Sequence, residues 1–164
     1  MKLRHAEPGD LERIIEIYNA SIPTRLSSAD LEPVSVESRR AWFETHTSDR
    51  RPLLVLEQDD AILGWIGLKN HYDRAGYDKT AEVAVYIDQD DLGRGLGRRL
   101  VREIIALAPS LGVTTLLAIC FADNIASIRL FESFGFIQWG FYPGIAELDG
   151  KSQDVVHLGL KIAG

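Results

Sequence analysis

One stretch limits the fold of this chain more than any other. Val83-Ala84-Val85-Tyr86-Ile87 is followed by Gly93-Arg94-Gly95-Leu96-Gly97-Arg98 and then by an apolar run through Ile104, Ile105, Leu107 and Ala108, ending at Pro109. From Thr80 to Ile87 the residues alternate as a strand. Ala81, Val83, Val85 and Ile87 share one face, and Glu82, Ala84 and Tyr86 share the other. Three alternate glycines between a strand and a helix allow several backbone N–H groups to converge where the helix dipole adds partial positive charge, which suits a phosphate or pyrophosphate. Arg94, Arg98 and Arg99 add cations. A merely flexible strand-to-helix turn is the competing reading.

The remaining pattern surrounds this unit with further strands and helices. Leu3 to Ala6 reads as a strand, and Asp10 as the cap of a helix carrying Leu11, Ile14, Ile15 and Tyr18. Ile22 to Pro33 reads as a loop, and Ser35 as the cap of a second helix with Val36, Trp42 and Phe43. Leu53–Glu57 and Ala61–Leu68 form a hairpin around Gln58-Asp59-Asp60, and residues 69–79 form a long loop. Val113–Cys120 is a continuous apolar strand, as expected when both sheet faces are covered. Asp123 or Asn124 caps a helix with Ile128, Leu130, Phe131 and Phe134, which Gly135 ends. Phe136–Tyr142 and Val155–Lys161 are the last strands. This order predicts an α/β fold with a mixed sheet and helices on both faces. At roughly 150 residues per domain, the 164 residues make one domain, 1–164.

Composition excludes several classes. There are 18 basic and 24 acidic side chains, so a net charge of −6 argues against nucleic-acid or anionic-membrane binding. A single cysteine, Cys120, excludes an internal disulfide and fits a reducing, cytoplasmic setting. Residues 1–10 lack the apolar stretch of a secretion signal. His5, His46, His71 and His157 lack metal-ligand spacing, so no metal is expected, and Cys120 reads as a small buried hydrophobe. The glycine turn is not a Walker loop, because no Gly-Lys-Ser/Thr follows. A dinucleotide fingerprint would require glycine at Arg98 or Leu100.

The Val83–Ile87 strand and the Gly93–Arg98 turn, together with Asn124-Ile125-Ala126-Ser127 and Phe134-Gly135-Phe136, resemble the acetyl-CoA signature of the GNAT acyltransferases. Ile17-Tyr18-Asn19, Arg74-Ala75-Gly76-Tyr77 and the run from Thr80 to Ile87, with Asp154-Val155, are most similar to the phosphinothricin and methionine sulfone/sulfoximine N-acetyltransferases. The resemblance implies a GNAT-like sheet of about seven strands and acetyl-CoA as co-substrate. It implies that Val85, Tyr86 and Ile87 pair through their backbone with the pantetheine arm. The turn Gly93, Arg94, Gly95, Leu96, Gly97 and Arg98 would hold the pyrophosphate, and Asn124 would contact the arm near the sulfur. Two positions depart from the pattern. Leu92 stands where the turn ordinarily opens on Gln or Arg, and Phe131 stands where a tyrosine or histidine is common, which excludes a general acid there.

The same resemblance makes Glu82 the candidate base. An amino acid's amine is mostly protonated near neutral pH and attacks a thioester only after losing that proton. A solvated strand carboxylate is the plainer reading of Glu82. Arg74 is expected to clamp a substrate carboxylate through two parallel hydrogen bonds and Tyr77 to wall the pocket, against a surface arginine and a packing tyrosine. Tyr18, Asn19 and Thr24 are candidates for the opposite wall. The expected activity is direct acetyl transfer to the α-amino group of a small amino-acid-like acceptor. The alternatives are a different amine or a non-catalytic CoA-binding module. Relatives imply a homodimer, with apolar residues of 136–142 contributing.

Overall fold

The computed structural model describes residues 1–163. The elements run β1 (Lys2–His5), α1 (Leu11–Ser21), α2 (Val36–Glu44), β2 (Leu53–Gln58), β3 (Ala61–Asn70), β4 (Thr80–Ile87), α3 (Leu96–Leu107), β5 (Thr115–Phe121), α4 (Ile125–Glu132), β6 (Ile137–Leu148) and β7 (Lys151–Lys161). The strands form one seven-stranded sheet, ordered β1-β2-β3-β4-β5-β7-β6. Every neighbouring pair is antiparallel except β4 and β5. The expected mixed sheet is therefore present.

The alternation read in β4 separates two cores. Ala81 and Val83 are buried with Leu96, Leu100, Val101 and Ile104 of α3 and with Leu116 and Ala118 of β5. On the opposite face, Ala84 and Tyr86 pack against a cluster of Ile14 and Ile17 from α1 with Leu53, Val55, Ile62 and Trp65. Each fully buried aliphatic side chain contributes roughly 1.5–3 kcal/mol, so these two layers hold the helices to the sheet.

Two local expectations change. Asp10 sits at the start of α1, but its carboxylate does not cap that helix. It accepts from both Nη atoms of Arg4, at 2.7 and 3.0 Å, and from the Glu7 amide at 2.7 Å. A bidentate charged pair outcompetes a neutral amide of the first turn. The last two strands are also longer than predicted. Asp149 and Gly150 both take positive φ, 51° and 75°, the conformation of a tight hairpin turn, so β6 and β7 extend to meet it. Pro143 and Gly144 fall in a register irregularity between Tyr142 and Ala146, which an edge strand tolerates. Ser35 does cap α2, accepting from the Ser38 amide at 3.1 Å.

The feature that makes a site is the brevity of the parallel pairing. β4 meets β5 only at Thr80–Thr115, Ala81–Leu116 and Glu82–Leu117. Past Glu82, β4 follows β3 as far as Ile87–Gly64, whereas β5 follows β7 as far as Phe121–Val155. The sheet opens into a wedge there.

Candidate active site

Two clefts fill the wedge. One, of about 490 Å³, lies at the glycine turn and includes Ile87, Gly93, Gly95, Gly97, Arg98 and Leu130 in its lining. The other, of about 410 Å³, is lined by Glu82, Val83, Ala84, Cys120, Phe131 and His157 among others. Val85, Tyr86, Asn124 and Ser127 line both, so the two make one channel along the exposed side of β4.

At its outer end, Gly93 and Gly95 hold φ of 77° and 75°, where an L side chain is strained, and a Cβ on either would meet nothing within 4 Å. The cradle is therefore open above the backbone, directly before the first turn of α3. Those free amides and the Arg98 lining fit an anionic pyrophosphate. Arg98 donates to Ser133 Oγ at 2.9 Å and lies over the Phe134 ring. Arg94 pairs with Asp91 and lines neither cleft. Leu92 lines the outer cleft without offering a polar group.

Midway, Asn124 caps α4 by accepting from the Ser127 amide at 3.2 Å and donates to Leu26 O at 3.0 Å. It thereby ties the helix to the segment after α1 that roofs the channel. Asn19 exchanges two 2.9 Å bonds with the Val34 backbone, and Tyr86 donates its hydroxyl to Ser27 O at 2.8 Å. Tyr18 bonds Ser28 and Asp30. Burial pushes the Tyr86 phenol well above its usual range, so it remains a donor. Of the three residues expected on this wall, Thr24 lines the outer cleft, while Tyr18 and Asn19 secure the roof.

The inner end belongs to Glu82, whose side chain is only 12% exposed. Oε1 lies 2.9 Å from His71 Nδ1, and Oε2 lies 2.8 Å from Lys69 Nζ. Lys69 is the cross-strand partner of Glu82 in the β3–β4 ladder. His157, on β7, lines the same cleft and packs its ring 4.5 Å from Tyr142. Burial lowers the His157 pKa; the Glu82 charge opposes that shift and His71 adds to it. Glu82 is thus the inner carboxylate of a nitrogen-rich pocket rather than a solvated strand residue. The sequence pattern assigns no site role to Lys69, His71 or His157. The available signal was spacing: Lys69 and His71 are two residues apart at the end of a strand, hence on one face.

The loop segment 74–77, expected to supply substrate contacts, contributes no lining residue to either cleft. Arg74 is exposed and lines neither cleft. Tyr77 stacks edge-on with Tyr72 and with His71, at ring separations of 4.9 and 5.8 Å, and approaches Glu82 only through that histidine. Phe131 is buried 5.1 Å from Phe136 with its ring lining the inner cleft. Cys120 also lines it, but burial pushes its thiol up to about 11. It is a thiol at neutral pH and a poor nucleophile.

The model of the acetyltransferase (GNAT) family matches residues 11–136. YwnH of Bacillus subtilis, whose name assigns it provisionally to phosphinothricin acetylation, is 45% identical over 99% of this chain and all of its own length. An L-methionine sulfoximine/L-methionine sulfone acetyltransferase of Pseudomonas aeruginosa is 29% identical, over 98% of this chain and 94% of its own. The structure of yncA from Salmonella typhimurium, solved with its cofactor acetyl-CoA, superposes with a TM-score of 0.93 at 29% identity and covers all of this chain and 95% of that one.

Proposed function

The chain belongs to the GNAT family and is an acetyl-CoA-dependent N-acetyltransferase, and from that premise we propose that its acceptor is the α-amino group of a small amino acid such as phosphinothricin or methionine sulfone/sulfoximine. The observation that carries this reading is Glu82. It is a nearly buried carboxylate at the inner end of the channel, joined to both a lysine and a histidine. The names of the relatives YwnH and the Pseudomonas enzyme support the acceptor class.

In this mechanism the Val85–Ile87 backbone holds the pantetheine arm as an added strand would, and an amide there polarises the acetyl carbonyl. The glycine turn from Gly93 to Arg98 receives the pyrophosphate; Arg94, held by Asp91, contributes only long-range charge. Asn124 keeps the roof in place over the arm. Glu82 accepts the proton that the acceptor's ammonium loses before attack on the thioester, and His71 holds that carboxylate in orientation. Acetyl passes directly to the amine, since the Cys120 thiol is protonated. Phe131 offers no proton to the departing sulfur; a thiol with a pKa of about 8.5 leaves as thiolate without one, and the second proton, shed by the acetylated nitrogen, passes through solvent to that thiolate. Tyr77 backs His71 from the outer loop, and Arg74, exposed and outside both clefts, is left without a contact to the acceptor.

We further propose that residues 1–164 act as one cytoplasmic domain and pair into a homodimer through β6, where Ile137, Trp139, Phe141 and Ile145 are exposed along the sheet edge. No helix among the described residues is long and apolar enough to cross a membrane. The acceptor is tested by acetyl-CoA consumption with mass spectrometry of the products. The panel is methionine sulfone, methionine sulfoximine, phosphinothricin, a polyamine, an aminoglycoside and a short peptide. Acetylation of the first three supports the proposal. Acetylation of another amine alone, or cofactor binding with no product, overturns it.

A further inference from the structure

A smaller recess of about 200 Å³ opens off the inner cleft. Ile15, Tyr18, Trp42, Trp65, Ala84 and Tyr86 wall it, with Arg39 and Lys69 as its cations, and it shares Lys69, Ala84 and Tyr86 with the Glu82 cleft. The polar tips of three of its four aromatic residues are already satisfied. Trp65 Nε1 donates to Ile14 O at 3.1 Å, Tyr86 to Ser27 O, and Tyr18 bonds Ser28 and Asp30. Arg39 is paired with Asp30 at 2.9 Å. The walls therefore offer ring faces, aliphatic groups and one indole N–H, that of Trp42. Lys69 differs from Arg39. Its side chain is 58% exposed, and its ammonium, with three donors, has one partner among the described residues, Glu82.

We propose that Lys69 binds the acceptor's α-carboxylate and that the aromatic recess takes its side chain. The proposal rests on the amino-acid reading above and deepens it. A zwitterionic amino acid carries an ammonium and a carboxylate on adjacent atoms of one small framework. It enters by exchanging partners with the Lys69–Glu82 pair: its ammonium goes to Glu82 and its carboxylate to Lys69. Every charge remains compensated through the exchange. A polyamine or a lysine side chain brings only the ammonium, takes Glu82 and sets a second cation beside Lys69 with no carboxylate to offset the repulsion, which disfavours it. With about 30 Å³ per water-sized group, the recess accommodates roughly six such groups, about the size of the methionine sulfone side chain. The carboxylate contact expected of Arg74 thus falls to a residue on rigid β3.

The test compares kcat/KM for methionine sulfone and for its carboxamide at saturating acetyl-CoA, in wild type, Lys69→Ala and Lys69→Arg. A charge-assisted contact of this kind corresponds to about a tenfold to hundredfold preference of wild type for the acid. Lys69→Ala is expected to erase that preference, mainly through KM, with the acid losing at least tenfold more than the carboxamide. Lys69→Arg is expected to restore part of it. Replacing methionine sulfone by alanine is expected to lower wild-type kcat/KM at least tenfold by emptying the recess. Equal losses for acid and carboxamide would mean that Lys69 only positions Glu82, and would overturn the inference while leaving the amino-acid reading intact. A wild type that acetylates neither compound overturns the amino-acid reading itself.

Discussion

Strand glutamates are ordinarily solvated; Glu82 is nearly buried because its cross-strand neighbour Lys69 and the first loop residue His71 close over it. The glutamate was legible in the sequence because its motif surrounds it. The two nitrogen partners were not, because their proximity depends on the β3–β4 register and on the path of the loop. His46 presents the reverse case, a group whose surroundings oppose charge. Its Nδ1–H donates to Trp42 O at 3.0 Å, its ring packs edge-on to Trp42, and burial holds its pKa below the ordinary value. The folded state therefore refuses a proton that the unfolded chain accepts. The His46 contribution is complete above the unfolded pKa of about 6.5 and is lost as pH falls below it, at up to about 1.4 kcal/mol per pH unit. Urea denaturation at pH 7.5 and 5.5 is expected to show this loss in wild type and less of it in His46→Gln; identical pH dependence in both would contradict the assignment.

Element order was fully legible from periodicity and turn chemistry, including the strand–glycine–helix unit. Element lengths were less so. The predicted strand Phe136–Tyr142 stops before Pro143-Gly144, yet β6 passes through that pair as a bulge because an edge strand needs hydrogen bonds on one side only. The wedge itself left no local trace, since the divergence of β4 from β5 after three pairs is set by what each strand follows on its other side. The glycine turn yields a prediction at this scale. Gly95→Ala places a methyl in the open cradle and imposes about 1–2 kcal/mol of left-handed backbone strain. Gly112, also at positive φ with open space around it but lining none of the clefts, serves as a control. Both alanine variants are expected to lose similar stability by thermal denaturation. Only Gly95→Ala is expected to weaken acetyl-CoA binding about tenfold or more by calorimetry. Equal affinities in the two variants would remove the turn from the cofactor site.

For the whole molecule, the wedge means that the two halves of the sheet, β1–β4 and β5–β7, are joined through three parallel pairs and the helices packed across them. A ligand lying along β4 and reaching α4 adds contacts between the halves. Acetyl-CoA at a hundred times its Kd stabilises by about 2.7 kcal/mol, or roughly 5–10 °C in Tm for a chain of this size. Absence of a shift at saturating acetyl-CoA would contradict cofactor binding in this channel. Acetyl transfer is where residue, element and fold meet, and it depends on Glu82 taking the acceptor's proton. The most direct measurement is kcat/KM for methionine sulfone across pH, in wild type and Glu82→Gln. The expected result is a deficit of about 10²–10⁴-fold near neutral pH that narrows as rising pH deprotonates the amine without help, with acetyl-CoA affinity unchanged. Wild-type rates in the variant near neutral pH, or a deficit constant at every pH, would contradict the role assigned to Glu82.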